Sequence, residues 1–291
     1  MAEILNKSFS KIYKFKKHIF YNCETQLLFF SVIRLYTNIW QYKAPDLYLY
    51  IIRFKTYMKL ISVITGDIVD SRGMSINARE KLYLDLKKFL EELKKQKWIK
   101  EYELFRGDSF QCVIEKKEET LKVSLMIRGF IKSYITLEQK DIYARYLGKG
   151  KMASKGYFPG KQDIRLAIGI GKVDFMTKNS LAHSDGEAFY LSGDALDRLK
   201  SMPYRMMLKT PDIKFNESIE PTILLLDAVL QKWTNNQAET VLFKLKNMTE
   251  DEIAKKLKIT QSAVNQRTKT SQWYAIEKLL VYFTNTLKDW K

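Results

Sequence analysis

A chain of 291 residues, 46% hydrophobic and 29% charged, has room for one large domain or two modest ones around an ordinary apolar core. Its 50 Lys and Arg against 33 Asp and Glu leave a net charge of +17, which favours a polyanionic partner, although an AT-rich genome inflates lysine as well. Two cysteines exclude a disulfide framework and point to a reducing cytoplasm; two histidines exclude HExxH zinc proteases and His-rich metal sites, leaving oxygen-held Mg2+ or Mn2+.

Residues 1–57 differ from the rest. Lys11, Lys14, Lys16 and Lys17 precede the apolar run 27–33, and Arg34 interrupts that run before it can span a bilayer. Met58 stands directly before the first clear strand pattern. The expectation is therefore a natural start at Met58, with upstream sequence translated in frame; a membrane-associated extension is the alternative. From there an apolar run over 59–65 leads into the turn Gly66-Asp67-Ile68-Val69-Asp70-Ser71-Arg72. Leu82, Leu86, Phe89, Leu90 and Leu93 are spaced for an amphipathic helix within 76–97. Two short apolar segments flank Gly107-Asp108, the pattern of a β-hairpin with an acidic tip. Val123, Met126, Ile127 and Phe130 predict a helix over 121–135, and 147–163, rich in glycine and lysine, reads as a mobile basic loop. A strand over 163–171, a further one around 172–176 and a helix through Leu199 complete the order βα-ββ-α-ββ-α. This predicts an α+β domain over 58–220, an α/β sandwich with helices on one sheet face. Residues 221–291 read as all helix.

Asp67 or Asp108 alone is most simply a turn residue. Together they carry more. Two strand-end aspartates on adjacent strands can converge on one Mg2+ or Mn2+, with the Ile68 carbonyl as a further ligand, and that cation can hold nucleoside triphosphate oxygens. Strand-aspartate, helix, then hairpin-aspartate is the layout of ferredoxin-like, palm-type nucleotidyl cyclase domains. The candidate nucleotide-binding residues are Asp70, Ser71 and Arg72, whose turn opens the next helix with amides suited to phosphate, and Arg106 and Gly107 in the hairpin. Arg165, Arg198 and Lys200 are further cations that read as surface.

Three stretches make a resemblance more specific: Gly66-Asp67-Ile68-Val69-Asp70-Ser71-Arg72, Arg106-Gly107-Asp108-Ser109-Phe110-Gln111 and Ser184-Asp185-Gly186-Glu187-Ala188-Phe189. Together they look like the SatD family of bacterial proteins, across most of 58–290. The resemblance implies a cytoplasmic regulator, commonly with a C-terminal helix-turn-helix. More distantly, Arg165–Gly171 followed by Asp185-Gly186 is similar to class III nucleotide cyclases and GGDEF diguanylate cyclases. Ser109 stands where the diguanylate cyclases have a second carboxylate. Residues 187–194 lack the asparagine and arginine that class III enzymes use, and Leu104 replaces a base-selecting polar side chain. Metal and nucleotide binding survive that comparison better than turnover.

In the helical tail, Thr249 and Glu252 form a capping-box pattern ahead of one helix, and Thr260 caps a second. Ile253, Leu257, Ile259 and Val264 fit a helix-turn-helix, with Lys258 in the left-handed turn position where glycine is usual. The candidate contacts to double-stranded DNA are Thr260, Gln261, Ser262, Asn265, Gln266, Arg267 and Lys269. The last helix, with Tyr274, Ile276, Leu279, Leu280, Tyr282 and Phe283, either closes the bundle or pairs two subunits in a homodimer. The leading expectation is a DNA-binding transcriptional regulator with a magnesium-dependent nucleotide-binding domain. The alternative is an active nucleotidyl cyclase or nucleotidyltransferase.

Overall fold

A computed structural model describes residues 60–105, 108–135, 162–177, 180–288 and 290. The expectations for 1–57, for Arg106 and Gly107, and for most of the 147–163 loop lie outside these residues.

Strand β1 (Ile61–Ile68) is followed by helix α1 (Ile76–Lys95), strands β2 (Glu101–Phe105) and β3 (Ser109–Ile114), helix α2 (Thr120–Ser133) and strand β4 (Ile164–Gly171). β1 pairs antiparallel with both β3 and β4, and β2 pairs antiparallel with β3, so these strands lie in the order β2-β3-β1-β4. A βαββαβ chain with that order is the ferredoxin-like arrangement. Helix α3 (Glu187–Leu199) then leads to β5 (Met206–Lys209), which extends the sheet parallel to β4. Five helices complete the chain: α4 (Ile213–Gln231), α5 (Asn235–Leu245), α6 (Glu250–Leu257), α7 (Gln261–Thr270) and α8 (Trp273–Lys288).

Alternation along the strands sorts the sheet into two faces. Ile64, Ile68, Phe110, Cys112, Ile114, Leu166, Ile168 and Ile170 join the main core with Leu82, Leu86, Leu90, Met126, Ile127, Ile223, Leu230, Trp233 and Phe283. Gly66 faces this side, where a Cβ would stand 2.2 Å from the Phe110 ring, so a side chain there would displace the ring. On the opposite face α3 packs along β4. A Cβ on Gly169 would lie 2.2 Å from the Ala188 carbonyl oxygen, and its absence lets the helix backbone come that close.

Four expectations need correction. Helices cover both faces of the sheet and not one, because Gly169 and the small Ala188 let α3 pack on the side away from the main core. Gly66 and Asp67 belong to β1, which runs to Ile68 instead of ending before the turn. Residues 172–176 form no strand and make only a bridge, Phe175 to Asp185; the fifth strand is Met206–Lys209. The expected boundary at 220/221 falls inside α4, whose Ile219, Ile223, Leu226 and Leu230 share the core of the sheet domain. Residues Tyr57–Lys291 accordingly cluster as one compact unit.

Candidate functional site

β-sheet register assembles the site. Asp67 on β1 stands opposite Ser109 on β3 and Arg165 on β4, and Phe105 on β2 stands opposite Ser109. These four side chains therefore form one row on the face away from the main core. Asp108 sits in the turn just before Ser109, and the Ile68 amide donates to its carbonyl oxygen at 2.9 Å. The Ser109 hydroxyl lies 3.2 Å from Asp67 Oδ1 and 3.4 Å from Asp108 Oδ1, so one oxygen atom touches both carboxylates. Ser71 is buried and donates to Asp108 Oδ2 at 2.8 Å. Arg165 Nη1 donates to Asp67 Oδ2 at 3.1 Å. Asp67, Asp108 and Ser71 are thus brought together, and Ile68 adjoins them through its amide.

Other expectations change. The turn Ser71–Gly73 is a separate 3-10 turn, and α1 begins only at Ile76, capped by Ser75. The Gly73 and Met74 amides bond to Asp70 O and Ser71 O inside that turn, so they are not presented to a phosphate. Asp70 adopts φ 53 and is exposed, as is Arg72. Leu104 packs against the main core, on the face opposite Asp67, so its apolar character says nothing about a base pocket.

The residues that the sequence reading passed over sit in the neighbouring row: Glu103, Gln111 and Thr65. Gln111 Nε2 donates to Thr65 Oγ1 at 3.2 Å, and the Thr65 hydroxyl donates to Ser192 on α3 at 3.0 Å. Glu103 accepts from the Ala182 amide at 3.0 Å and from the Ser180 hydroxyl, anchoring the turn before α3. Arg165, which reads as surface in sequence, is a partly buried ion pair with Asp67 whose Nε is buried without a hydrogen-bond partner. Only the register could have revealed it, because Asp67 and Arg165 are 98 positions apart.

The donor set is all oxygen: two carboxylates and two serine hydroxyls. That suits a hard cation such as Mg2+ or Mn2+. No cluster of three or more His, Cys, Asp or Glu placed to hold a metal occurs among the described residues. Two carboxylates are what a magnesium ion takes when substrate phosphates and water complete its shell.

A second polar cluster lies behind the site. Asp163 precedes β4; its carbonyl oxygen accepts from the Val69 amide at 2.9 Å, and its carboxylate accepts from Arg128 Nε at 2.9 Å and Nη2 at 3.0 Å. Arg128 also pairs with the buried Asp227 of α4, and Lys132 stands 3.5 Å from Asp163. Burial by itself would push the Asp163 carboxyl up; the Arg128 and Lys132 charges more than reverse this and hold it below the usual carboxylate range. Burial lowers the Lys132 pKa against the pull of Asp163. For Arg128, burial acts downward and is overcome by the two carboxylates, which raise its pKa.

In the tail, α6 and α7 enclose a small core of Ile253, Ala254 and Val264, with Phe243 of α5 packed against it. Thr249 and Glu252 complete the capping box, Thr260 caps α7, and Lys258 takes φ 54 in the turn, each as expected. Thr260, Gln261, Ser262, Gln266 and Lys269 are exposed, whereas Asn265 and Arg267 are half-buried. Gln261 Nε2 donates to Glu250 at 2.7 Å and Asn265 Nδ2 lies 3.4 Å from the same carboxylate, so both amides are already engaged. Burial raises the Glu239 pKa against the opposing charge of Arg267. α8 buries Trp273, Ile276, Phe283 and Leu287, which closes the bundle, and leaves Tyr274, Val281 and Tyr282 exposed. Among the described residues no helix is long and apolar enough to cross a membrane.

No family model and no curated protein matches the chain, so the SatD resemblance rests on its three motifs. Solved structures similar to it include a bacterial light-regulated adenylyl cyclase, at 14% identity and a TM-score of 0.34, covering 51% of this chain and 74% of that one. Another is the dimeric guanylyl cyclase domain of the RhoGC fusion protein from the aquatic fungus Blastocladiella emersonii, at 16% identity and a TM-score of 0.34, covering 50% and 74%. Likenesses at this level assign no residue and no activity.

Proposed function

We propose that the sheet domain is a nucleotidyl cyclase-like module that binds a nucleoside triphosphate through a divalent cation held by Asp67, Asp108 and the Ile68 carbonyl. The observation that carries this reading is the single Ser109 hydroxyl in contact with both carboxylates. Two carboxylates within reach of one hydroxyl, at the exit of adjacent strands, can ligate one divalent cation together. Ser71 orients Asp108, Arg165 orients Asp67, and the β1–β3 register holds the pair in place. When bound, Mg2+ or Mn2+ supplies charge neutralisation for the phosphate oxygens. Residues 187–194 of helix α3 carry neither the asparagine nor the arginine of the class III cyclases, which favours binding over turnover.

Calorimetric titration with Mg2+ and each NTP tests the proposal, with Asp108→Ala as control. Binding by the parent protein that falls at least tenfold in the variant supports it; no binding of any NTP overturns it. If incubation with NTP and Mn2+ yields a new phosphorylated product that the variant does not make, the domain is an enzyme.

A second reading, a cytoplasmic DNA-binding regulator, is favoured by the separately cored α6–α7 pair and the exposed Thr260, Gln261, Ser262, Gln266 and Lys269 along α7. Nucleotide occupancy would then change the affinity of the tail for duplex DNA. Equal affinity with and without nucleotide, read by fluorescence anisotropy, excludes that coupling.

A further inference from the structure

Helix α7 carries Gln261 exposed in its first turn and Asn265 one turn on, along the same side of the helix. Both reach back to one acidic side chain of α6. Gln261 Nε2 donates to Glu250 Oε2 at 2.7 Å, and Asn265 Nδ2 lies 3.4 Å from each Glu250 oxygen. An ionised carboxylate only accepts, so it holds an amide by the NH2 group and repels the carbonyl oxygen. The Glu250 contact therefore removes the freedom of the Gln261 amide to turn over. Its carbonyl oxygen is directed away from the carboxylate, and its second N–H stays available.

An amide with one free acceptor and one free donor matches the major-groove edge of adenine, where the N6 amino group donates and N7 accepts. Guanine shows two acceptors there, O6 and N7, and O6 repels a carbonyl oxygen. Cytosine satisfies the oxygen but offers nothing to the N–H. We propose that Glu250 sets the base specificity of the α6–α7 pair, locking Gln261 in the orientation that reads adenine and rejects guanine. This rests on the reading of α7 as the helix set against duplex DNA. Glu250 acts through Gln261, as a positioning residue. The competing role is a tie between α6 and α7 with no bearing on sequence, and the two roles differ in what they do to base preference.

Selection by the full chain from duplexes with a randomised core gives the preferred site. Gln261→Ala then identifies the base that Gln261 reads, as the position whose preference disappears; adenine is expected there. Glu250→Gln keeps the shape of the side chain but pairs with Gln261 in either orientation, which frees Gln261 to donate to guanine O6 and N7. Discrimination between adenine and guanine at that position, about tenfold in the parent, should fall to about twofold, with the preferences at other positions kept. Loss of a negative charge beside the duplex raises affinity for every sequence by a common factor, so the ratio is the readout. A contact that only ties α6 to α7 would change binding to all sequences alike and leave the ratio as it was. Such an unchanged ratio, a base other than adenine at the Gln261 position, or preferences that Gln261→Ala leaves intact overturns the role of Glu250. A parent chain that selects no sequence overturns instead the reading of α6–α7 as a DNA-binding unit, and with it this inference.

Discussion

Arg128 has no exposed surface, yet it is among the most highly bonded side chains in the molecule. Asp163 meets it along the Nε–Nη2 edge and Asp227 at Nη1, while the Arg205 amide and Gln231 side chain donate to the other Asp227 oxygen at 3.0 and 2.6 Å. Such a pair adds little over a well-packed apolar substitute, but removing one partner strands a buried charge. Asp163→Asn should therefore cost about 3 kcal/mol at pH 7 in urea unfolding. The folded Asp163 carboxyl titrates below its unfolded value, so its contribution is fully present above about pH 4 and is lost as pH falls through the lower folded pKa. The gap between parent and variant should accordingly narrow from pH 7 to pH 3; a gap that stays constant would show that the ionised carboxylate is not what stabilises. None of this was legible in the sequence. Arg128 reads there as one more basic residue in a basic chain, and its partners are 35 and 99 positions away. Asp67 and Asp108 were legible because each stands beside a glycine, Asp67 after a β-branched run and Asp108 between two short apolar segments.

At the scale of elements, local chemistry was a good guide wherever it acts locally. The caps at Thr249 and Thr260 and the left-handed Lys258 are set by bonds within four residues, and they form as the sequence suggests. A left-handed lysine costs about 1–2 kcal/mol relative to glycine. Lys258→Gly should therefore stabilise the protein, raising Tm by about 2–4 °C for each kcal/mol gained in a unit of this size. A lower Tm would mean that the Lys258 side chain makes a contact worth more than the strain. Strands were less legible. Residues 172–176 alternate as a strand should but have only the Asp185 region to pair with, whereas Met206–Lys209 is four residues long and contains no β-branched residue. Its strand character comes from the open edge of β4 beside it.

For the molecule as a whole, α4, α5 and α8 of the helical tail share one core with the sheet, while α6 and α7 keep their own small cluster. Trp233, Leu242, Ile276 and Phe283 belong to the same apolar cluster as Ile64 and Ile168, and α4 carries both core residues and Asp227. A fragment of residues 58–220 would lose Ile223, Leu230 and Trp233, three side chains with almost no exposure, and would leave Arg128 without Asp227. It should show no cooperative melting transition by circular dichroism; a fragment that melts sharply would restore the boundary expected at 220/221. Coupling between the site and the tail has a physical route in Asp163, whose carbonyl holds Val69 beside the aspartates while its carboxylate holds Arg128 against α4. By itself the sequence determined the ferredoxin-like element order, the two acidic strand ends and the capped helix pair, because periodicity, glycine placement and caps are written within a few residues of where they act. Only the tertiary structure decided that Arg165 opposes Asp67, that Leu104 faces away, and that α4, α5 and α8 belong to the sheet's core. Those facts depend on register and packing between distant segments, and no local pattern encodes them.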